Sequence, residues 1–217
     1  MSSAAELIDL VQELGFLPLL YSGISGFSAD EMVADECGYV VFPDGGWDWP
    51  MWKWKGSVIT DGGCAYGKFF NKKAGFISMD WWPHFMNWRR SLSGTIEPGS
   101  VEDSILATLK AHGSLITREL RHACGFTGSK MRSRFDAYVT RLQMSCHIVT
   151  EDFVYPRDRH NREYGWGWSL LTTPEQLYGI EACSCPCTPD ESLEKMLSHL
   201  QTILPNATHA QLLKFLT

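Results

Sequence analysis

The sequence lacks any apolar run as long as the roughly 18 residues that a membrane-spanning helix needs. Its first stretch, MSSAAELIDLVQEL, contains acidic residues but no lysine or arginine, so it does not have the basic start of a secretory signal peptide. We therefore expect a soluble, cytoplasmic protein with no membrane partner.

The seven cysteines do not form the even, regularly spaced set of a disulfide framework. Three of them fall in the stretch CSCPC, Cys183–Cys187, where a zinc site would need a fourth ligand such as His199 or Cys124. The one-residue spacing differs from that of most structural zinc sites, and the proline restricts how the thiols converge. We expect free thiols, no bound metal and no cofactor.

The signature motifs of common enzymes are absent as well. The chain has no G-x-S-x-G, no Walker phosphate loop, no G-x-G-x-x-G and no H-E-x-x-H. Carboxylates set among aromatic residues remain as possible general bases, and Asp48 and Asp61 are the candidate catalytic residues. The alternative for Asp48 is a helix cap, because it lies two residues before Pro50.

Positive charge is scarce overall, because the net charge is −6 at pH 7. It is concentrated in residues 99–172, which carry ten lysines and arginines against eight acidic residues, whereas both flanking segments are net acidic. A local positive surface attracts a polyanion even when the whole molecule is negative. The middle third is therefore where nucleic-acid binding is expected.

The same middle third predicts a regular order of elements. VEDSILATLKAHG, TRELRHACG and GSKMRSRFDAYVTRLQM read as helices, and SLI between the first two as a short strand. CHIVTEDFVYP and REYGWGWSLLT then read as two strands joined by the basic tip RDRHN. This order is that of a winged helix, which is a variant of the helix-turn-helix.

The third of these helices divides into two faces at about 100° per residue. Phe135 and Leu142 belong to its apolar face, whereas its outward side combines cations with small residues, as in a recognition helix that enters the major groove. The candidate DNA-binding residues on this helix are Lys130, Ser133, Arg134, Ala137 and Arg141. The tip adds side chains suited to phosphates or the minor groove: Arg157, Arg159, His160 and Arg162. The alternatives are a solvated helix face and a solvated turn.

Four of the nine tryptophans stand in GGWDWPMWKWKG, residues 45–56. Pro50 predicts a helix that starts near Trp49, with Lys53 and Lys55 in the gaps between two aromatic sides. Such a helix is typical of a core, although a pocket wall or a platform for stacking bases is also possible. The candidate pocket residues are Trp47, Trp49, Trp54, Tyr66 and Lys68.

The predicted architecture is an α+β fold in three parts. Residues 1–98 form an aromatic-rich α+β region, in which Asn71-Lys72 is a hairpin turn and Ser78 caps the next helix. Residues 99–172 form a winged helix-turn-helix domain packed against that region. Residues 173–217 form a C-terminal helical hairpin that packs on the body.

Several stretches of the chain resemble the small bacterial proteins described as AlkZ-related: AYGKFFNKKAGFIS, WWPHFMNWRR, LKAHGSLITRELRHACGF, FDAYVTRLQM and REYGWGWSLLTTPEQLYG. The resemblance covers most of residues 10–215. These proteins look like compact relatives of the AlkZ-type winged-helix DNA glycosylases, which repair alkylated and crosslinked bases. The link to the glycosylases themselves rests on residues 100–172.

The resemblance implies double-stranded DNA as the partner, no obligatory protein partner and, for an enzyme, hydrolysis of an N-glycosidic bond. The glycosylases carry a catalytic Gln-x-Gln or Gln-x-Asp motif, and no glutamine of this chain has Gln or Asp two positions later. No catalytic residue is therefore transferred. We expect a DNA-binding protein related to base repair. The alternatives are a transcription-factor-like DNA-binding module and a protein-interaction module.

Overall fold

The computed structural model describes residues 1–38, 40–41, 47–61, 63–163 and 167–217, and it describes the backbone alone for residues 40, 41, 47, 129 and 130. The described chain is an α+β protein, as predicted. Its helices are α1 (Ala4–Leu14), α2 (Ala29–Met32), α3 (Pro50–Asp61), α4 (Trp82–Ser93), α5 (Val101–His112), α6 (Thr117–Ala123), α7 (Ser129–Met144), α8 (Pro174–Ala182), α9 (Pro189–Ile203) and α10 (His209–Leu216). Among the described residues, no helix is long and apolar enough to cross a membrane.

The strands form small antiparallel sheets. They are β1 (Phe16–Pro18), β2 (Val40–Val41), β3 (Trp47–Asp48), β4 (Cys64–Phe70), β5 (Lys73–Ser78), β6 (Leu115–Ile116), β7 (Val149–Val154) and β8 (Trp168–Thr172). One sheet has the order β1-β5-β4, another has the order β6-β8-β7, and β2 pairs with β3. The hairpin predicted at Asn71-Lys72 joins β4 to β5, and both turn residues have positive φ, at 49° and 66°.

The end of α1 shows how tightly the N-terminal region is packed. Gly15 ends this helix with a φ of 75°, and a Cβ there would lie 2.4 Å from the ring of Trp81. The ring of Trp81 stacks on His199 of α9, with 4.4 Å between centroids, and His199 Nε2 lies 2.9 Å from the carbonyl oxygen of Leu14. Only glycine fits this position, where α1 and α9 meet.

The first sheet shares its hydrophobic core with the C-terminal helices. Phe70 of β4 stacks on Phe215 of α10 with 4.7 Å between ring centroids, and Met196 and Leu200 of α9 are buried in the same cluster. Removal of this apolar surface from water is the main stabilising contribution, at about 25 cal/mol per Å². The two last helices therefore pack on the first sheet.

The second three-stranded sheet encloses a separate apolar cluster with α5, α6 and α7. Its buried members include Ile105, Leu109, Leu120, Phe135, Val139, Leu142 and Leu171. Along the chain the elements run α5, β6, α6, α7, β7 and β8, which is the order predicted for residues 99–172. The apolar face of α7 thus points into this cluster and its opposite face points outward.

Polar side chains join the two clusters at the C-terminal end of α7. Gln143 Oε1 accepts a hydrogen bond of 2.9 Å from the backbone N–H of Lys68 in β4. Arg89 of α4 is buried and donates from Nε to the carbonyl oxygen of Met144 at 2.7 Å and from a terminal nitrogen to that of Leu216 at 3.3 Å. A cation is favourable at such helix C-termini, where carbonyl groups lack partners.

One local prediction is wrong. Ser78 does not cap a helix: it is the last residue of β5, its N–H donates to the carbonyl oxygen of Gly15, and α4 begins four residues later. Lys55, which the sequence placed in a gap between two aromatic sides of α3, is completely buried against β7. The structure also contains α8, which the sequence did not indicate because Gly179, with a φ of 84°, interrupts its helical pattern.

Candidate nucleic-acid interface

The outward face of α7 carries exposed residues of the cationic surface predicted from the sequence. Ser133, Arg134 and Ala137 are all exposed, opposite the buried ring of Phe135. Arg134 makes no hydrogen bond or ion pair with any described residue. The side chain of Lys130 lies outside the described residues. The face therefore offers an uncompensated guanidinium beside small side chains that allow close approach.

Arg141 belongs to the same helix but is partly neutralised. Its guanidinium forms an ion pair of 3.0 Å with Glu102 of α5 and lies 5.0 Å from the ring centroid of Tyr138. Glu102 is more buried than Arg141, with 18% against 64% of the side chain exposed. Since α5 is distant in sequence, helical spacing alone could not reveal this pairing.

A further cation reaches α7 from the first sheet. Lys68 is exposed on β4, and its Nζ donates to Thr140 Oγ1 at 3.4 Å. Its backbone N–H is held by Gln143, as described above. The sequence placed Lys68 in an aromatic pocket, whereas the structure places its ammonium group at the edge of α7.

The tip between β7 and β8 carries fewer uncompensated charges than its sequence indicates. Arg157 forms an ion pair of 3.0 Å with Glu163, and Arg162 forms one of 3.1 Å with Asp158. Arg159 Nε donates to the ring of His160, and no described carboxylate pairs with it. Two of the three arginines of the tip are therefore partly neutralised, and Arg159 carries the charge that is left.

A basic groove beside α6 was missed in the sequence. It lies next to Gly128, at the start of α7, and encloses about 780 Å³. One carboxylate, that of Glu119, lines it together with basic residues of α5 and α6: His112, Arg118, Arg121 and His122. The alternating charges of TRELRHACG could have indicated this groove, but a helix of seven residues is too short to define a basic face from the sequence alone.

The tryptophan-rich stretch lies mainly in the core. Trp49 is 6% exposed, with its ring centroid 6.2 Å from that of Trp52, and both Trp52 and Trp54 pack against the N-terminal cluster. Tyr66 is buried between Phe76 and Phe153, and burial raises the pKa of its hydroxyl. The side chain of Trp47 lies outside the described residues.

The same stretch contains a buried lysine, Lys55. It is 1% exposed, and burial lowers the pKa of its amine to about 7. Its Nζ lies 3.2 Å from the ring centroid of Trp52 and 3.7 Å from that of Phe153. The negative faces of these rings favour the protonated form and so oppose the effect of burial.

The two candidate catalytic carboxylates do not form one site. Asp48 Oδ1 accepts the N–H of Trp49 at 2.8 Å, and its Oδ2 pairs with Lys53 at 3.2 Å, so both of its oxygens are engaged beside the start of α3. Asp61 is exposed at the other end of this helix. A rise of 1.5 Å per residue separates the two by roughly 20 Å. They cannot act on the same substrate atom.

A comparison with models of protein families shows to which family this chain belongs. The model described as AlkZ related matches residues 1–217. The chain belongs to the AlkZ-related family. No curated protein and no solved structure matches this AlkZ-related chain.

Proposed function

We propose that this AlkZ-related protein binds double-stranded DNA through a winged helix formed by residues 99–172, with α7 as the recognition helix. The observation that carries the proposal is the exposed face of Ser133, Arg134 and Ala137, whose arginine has no partner among the described residues. A helix of 16 residues with small residues beside an arginine suits the width of the major groove.

The surroundings of α7 support the same orientation. Lys68 lies on one side of the helix and the basic groove of α6 lies near its start. The tip between β7 and β8, as the wing, presents Arg159 and His160 toward the backbone or the minor groove. The regions 1–98 and 173–217 share one core and form the scaffold that carries the winged helix.

We infer further that the protein acts in base repair, and the family relation supports this inference. The reaction that this relation favours is hydrolysis of the N-glycosidic bond of an alkylated base that has been taken out of the duplex. Asp61 is the better candidate to position a water molecule, because both carboxylate oxygens of Asp48 are engaged. Binding does not depend on this reaction, so the two parts of the proposal are tested separately.

Duplex binding is tested by fluorescence anisotropy with a labelled plain duplex over a series of salt concentrations. Each phosphate contact made by a lysine or arginine should contribute about 0.9 to the slope of log K against log salt. A steep linear decrease of affinity with salt supports the winged-helix proposal. The absence of any salt-dependent binding would instead favour a protein-interaction module.

The reaction is tested with duplexes that carry alkylated bases, followed by alkaline cleavage of abasic sites. Strand scission at the lesion would support a glycosylase, and its loss in Asp61→Asn would assign the carboxylate. Duplex binding without strand scission over a panel of lesions would contradict the proposal that the protein is a glycosylase. The protein would then be a non-enzymatic DNA-binding module.

A further inference from the structure

Three side chains with metal-binding atoms meet where α4 contacts the loop between α8 and α9. The Nδ1 atom of His84 and the Sγ atoms of Cys185 and Cys187 all lie within 4.8 Å of one another. The distance between His84 Nδ1 and Cys185 Sγ is 3.3 Å. Ligands on one tetrahedral zinc ion are roughly 3.5 to 4 Å apart, since Zn–N and Zn–S bonds are about 2.0 to 2.3 Å long. Small rotations of the cysteine side chains would complete this geometry.

The loop is held in place on α4 by hydrogen bonds of Asn87 and Ser192, and the Ser192 hydroxyl also lies 3.2 Å from His84 Nδ1 and 3.5 Å from Cys185 Sγ. Asn87 Nδ2 donates to the carbonyl oxygen of Cys187 at 2.8 Å and to Ser192 Oγ at 3.0 Å. Ser192 is fully buried at the start of α9. Because Asn87 lies one helical turn after His84, these bonds place the CSCPC loop directly against the imidazole. The cluster is thus positioned by the fold before any ion binds.

The types of donor atom in the cluster suit zinc. Lys195 of α9 lies beside them and donates from Nζ to Cys187 Sγ at 3.1 Å. None of the described ion pairs places a carboxylate on this lysine. Two thiolates and one imidazole are soft and borderline donors, a set that selects zinc over magnesium or calcium.

We propose that His84, Cys185 and Cys187 bind one zinc ion. A surface depression lined by Asp80, Trp81 and Lys195 opens beside His84, so a solvent molecule would complete the fourth position. The ion joins α4 to the segment that precedes α9, and so ties the C-terminal helices to the body. Neither side chain that the sequence offered as a fourth ligand belongs to this cluster of described residues. His199 lines the same depression, but its Nε2 lies 2.9 Å from the carbonyl oxygen of Leu14, and Cys124 Sγ lies 3.5 Å from Thr108 Oγ1.

The proposal is tested by metal analysis of the full-length protein. The protein is incubated with zinc chloride and a thiol-free reductant, desalted, and assayed for zinc by inductively coupled plasma mass spectrometry. About one zinc ion per chain is expected, and the C185S/C187S double variant and His84→Gln should each lose most of it. Cys124→Ser is the matched control and should retain the ion. Circular dichroism verifies that every variant is folded.

A second measurement covers the case in which a variant does not fold. Zinc should protect Cys185 and Cys187 of the unmodified protein from N-ethylmaleimide, while the reactivity of Cys37 stays the same, as read by peptide mass spectrometry. The proposal is overturned if the unmodified protein retains no zinc after desalting. It is equally overturned if folded C185S/C187S binds as much zinc as the unmodified protein, or if zinc leaves the alkylation of both cysteines unchanged.

Discussion

The ammonium group of Lys55 lies between the faces of Trp52 and Phe153, at 3.2 Å and 3.7 Å from their ring centroids. This contact joins α3 of the N-terminal region to β7 of the second sheet. Tyr155, beyond β7, adds a hydrogen bond of 3.5 Å from its hydroxyl to the carbonyl oxygen of Trp52. A buried lysine between α3 and β7 makes the contact between these two elements sensitive to its protonation.

We predict that Lys55→Met changes how stability depends on pH. Burial lowers the pKa of Lys55 from 10.5 to about 7, so the unfolded chain binds more protons than the folded chain between these values. The contribution of this lysine to the free energy of unfolding therefore rises with pH in this window and is smallest at or below pH 7. The stability gained by Lys55→Met should be largest near pH 7 and shrink toward pH 10.

Urea denaturation followed by circular dichroism at several pH values measures this difference. Lys53→Met is the matched control, because Lys53 lies on the same helix with 76% of its side chain exposed. Its effect should be small and independent of pH. A constant difference between Lys55→Met and the unmodified protein from pH 7 to 10 would show that Lys55 titrates normally.

Arg89→Met should destabilise the protein by about 2 kcal/mol, because two carbonyl oxygens at the ends of α7 and α10 lose charged hydrogen-bond donors. Thermal and urea unfolding measure the loss. Arg132→Met serves as the comparison, since Arg132 is exposed and its replacement should change stability by no more than about 0.5 kcal/mol. Equal stability of the two variants would mean that Arg89 makes no net contribution to the free energy of unfolding.

Arg134→Ala should weaken binding to any duplex and reduce the salt slope by about one, if its guanidinium contacts a phosphate. If the contact is to a base edge, the loss is restricted to certain sequences and amounts to about 1–3 kcal/mol. Lys214→Ala removes one positive charge from the exposed side of α10 and is the control for net charge. Equal losses for the two variants would argue against a specific role of α7.

Glu102→Gln should increase the affinity for duplex DNA. The substitution removes a negative charge beside α7 and releases Arg141 from its ion pair of 3.0 Å. Glu97→Gln is a suitable control, because Glu97 lies in the nearby linker and makes no ion pair with a described residue. Anisotropy titrations at low salt compare the two. Weaker binding of Glu102→Gln would indicate that Glu102 positions Arg141 for the DNA rather than competing with it.

Much of the fold could be predicted, because local signals agree with the tertiary structure. The capping serine Ser3, the turn at Asn71-Lys72 and the apolar stripe around Phe135 each define an element without reference to distant residues. The sequence pattern failed to predict the local structure where a partner distant in the chain determines it. The strand ending at Ser78 extends because it pairs with β4, and no local feature distinguishes that serine from a helix cap.

The candidate site was less predictable than the fold, because charge compensation depends on contacts between elements. The pattern along α7 correctly separates Arg134 from the buried face, but it cannot show that Glu102 approaches Arg141. Periodicity likewise assigned Lys55 to a gap, although Phe153 covers it from a strand about a hundred residues away. The sequence pattern also could not show that His84 lies against the CSCPC loop, because His84 and Cys185 are 101 residues apart in the chain.

The measurement that tests the central proposal most directly is hydrogen–deuterium exchange of the whole protein with and without a plain duplex at low salt. The account predicts slower exchange in α7, Ser129–Met144, and in the tip that contains Arg159, with little change in α9 or α10. Addition of salt should reverse this protection as the complex dissociates. A stable complex in which α7 exchanges as fast as in the free protein would contradict the assignment of α7 as the DNA-binding helix.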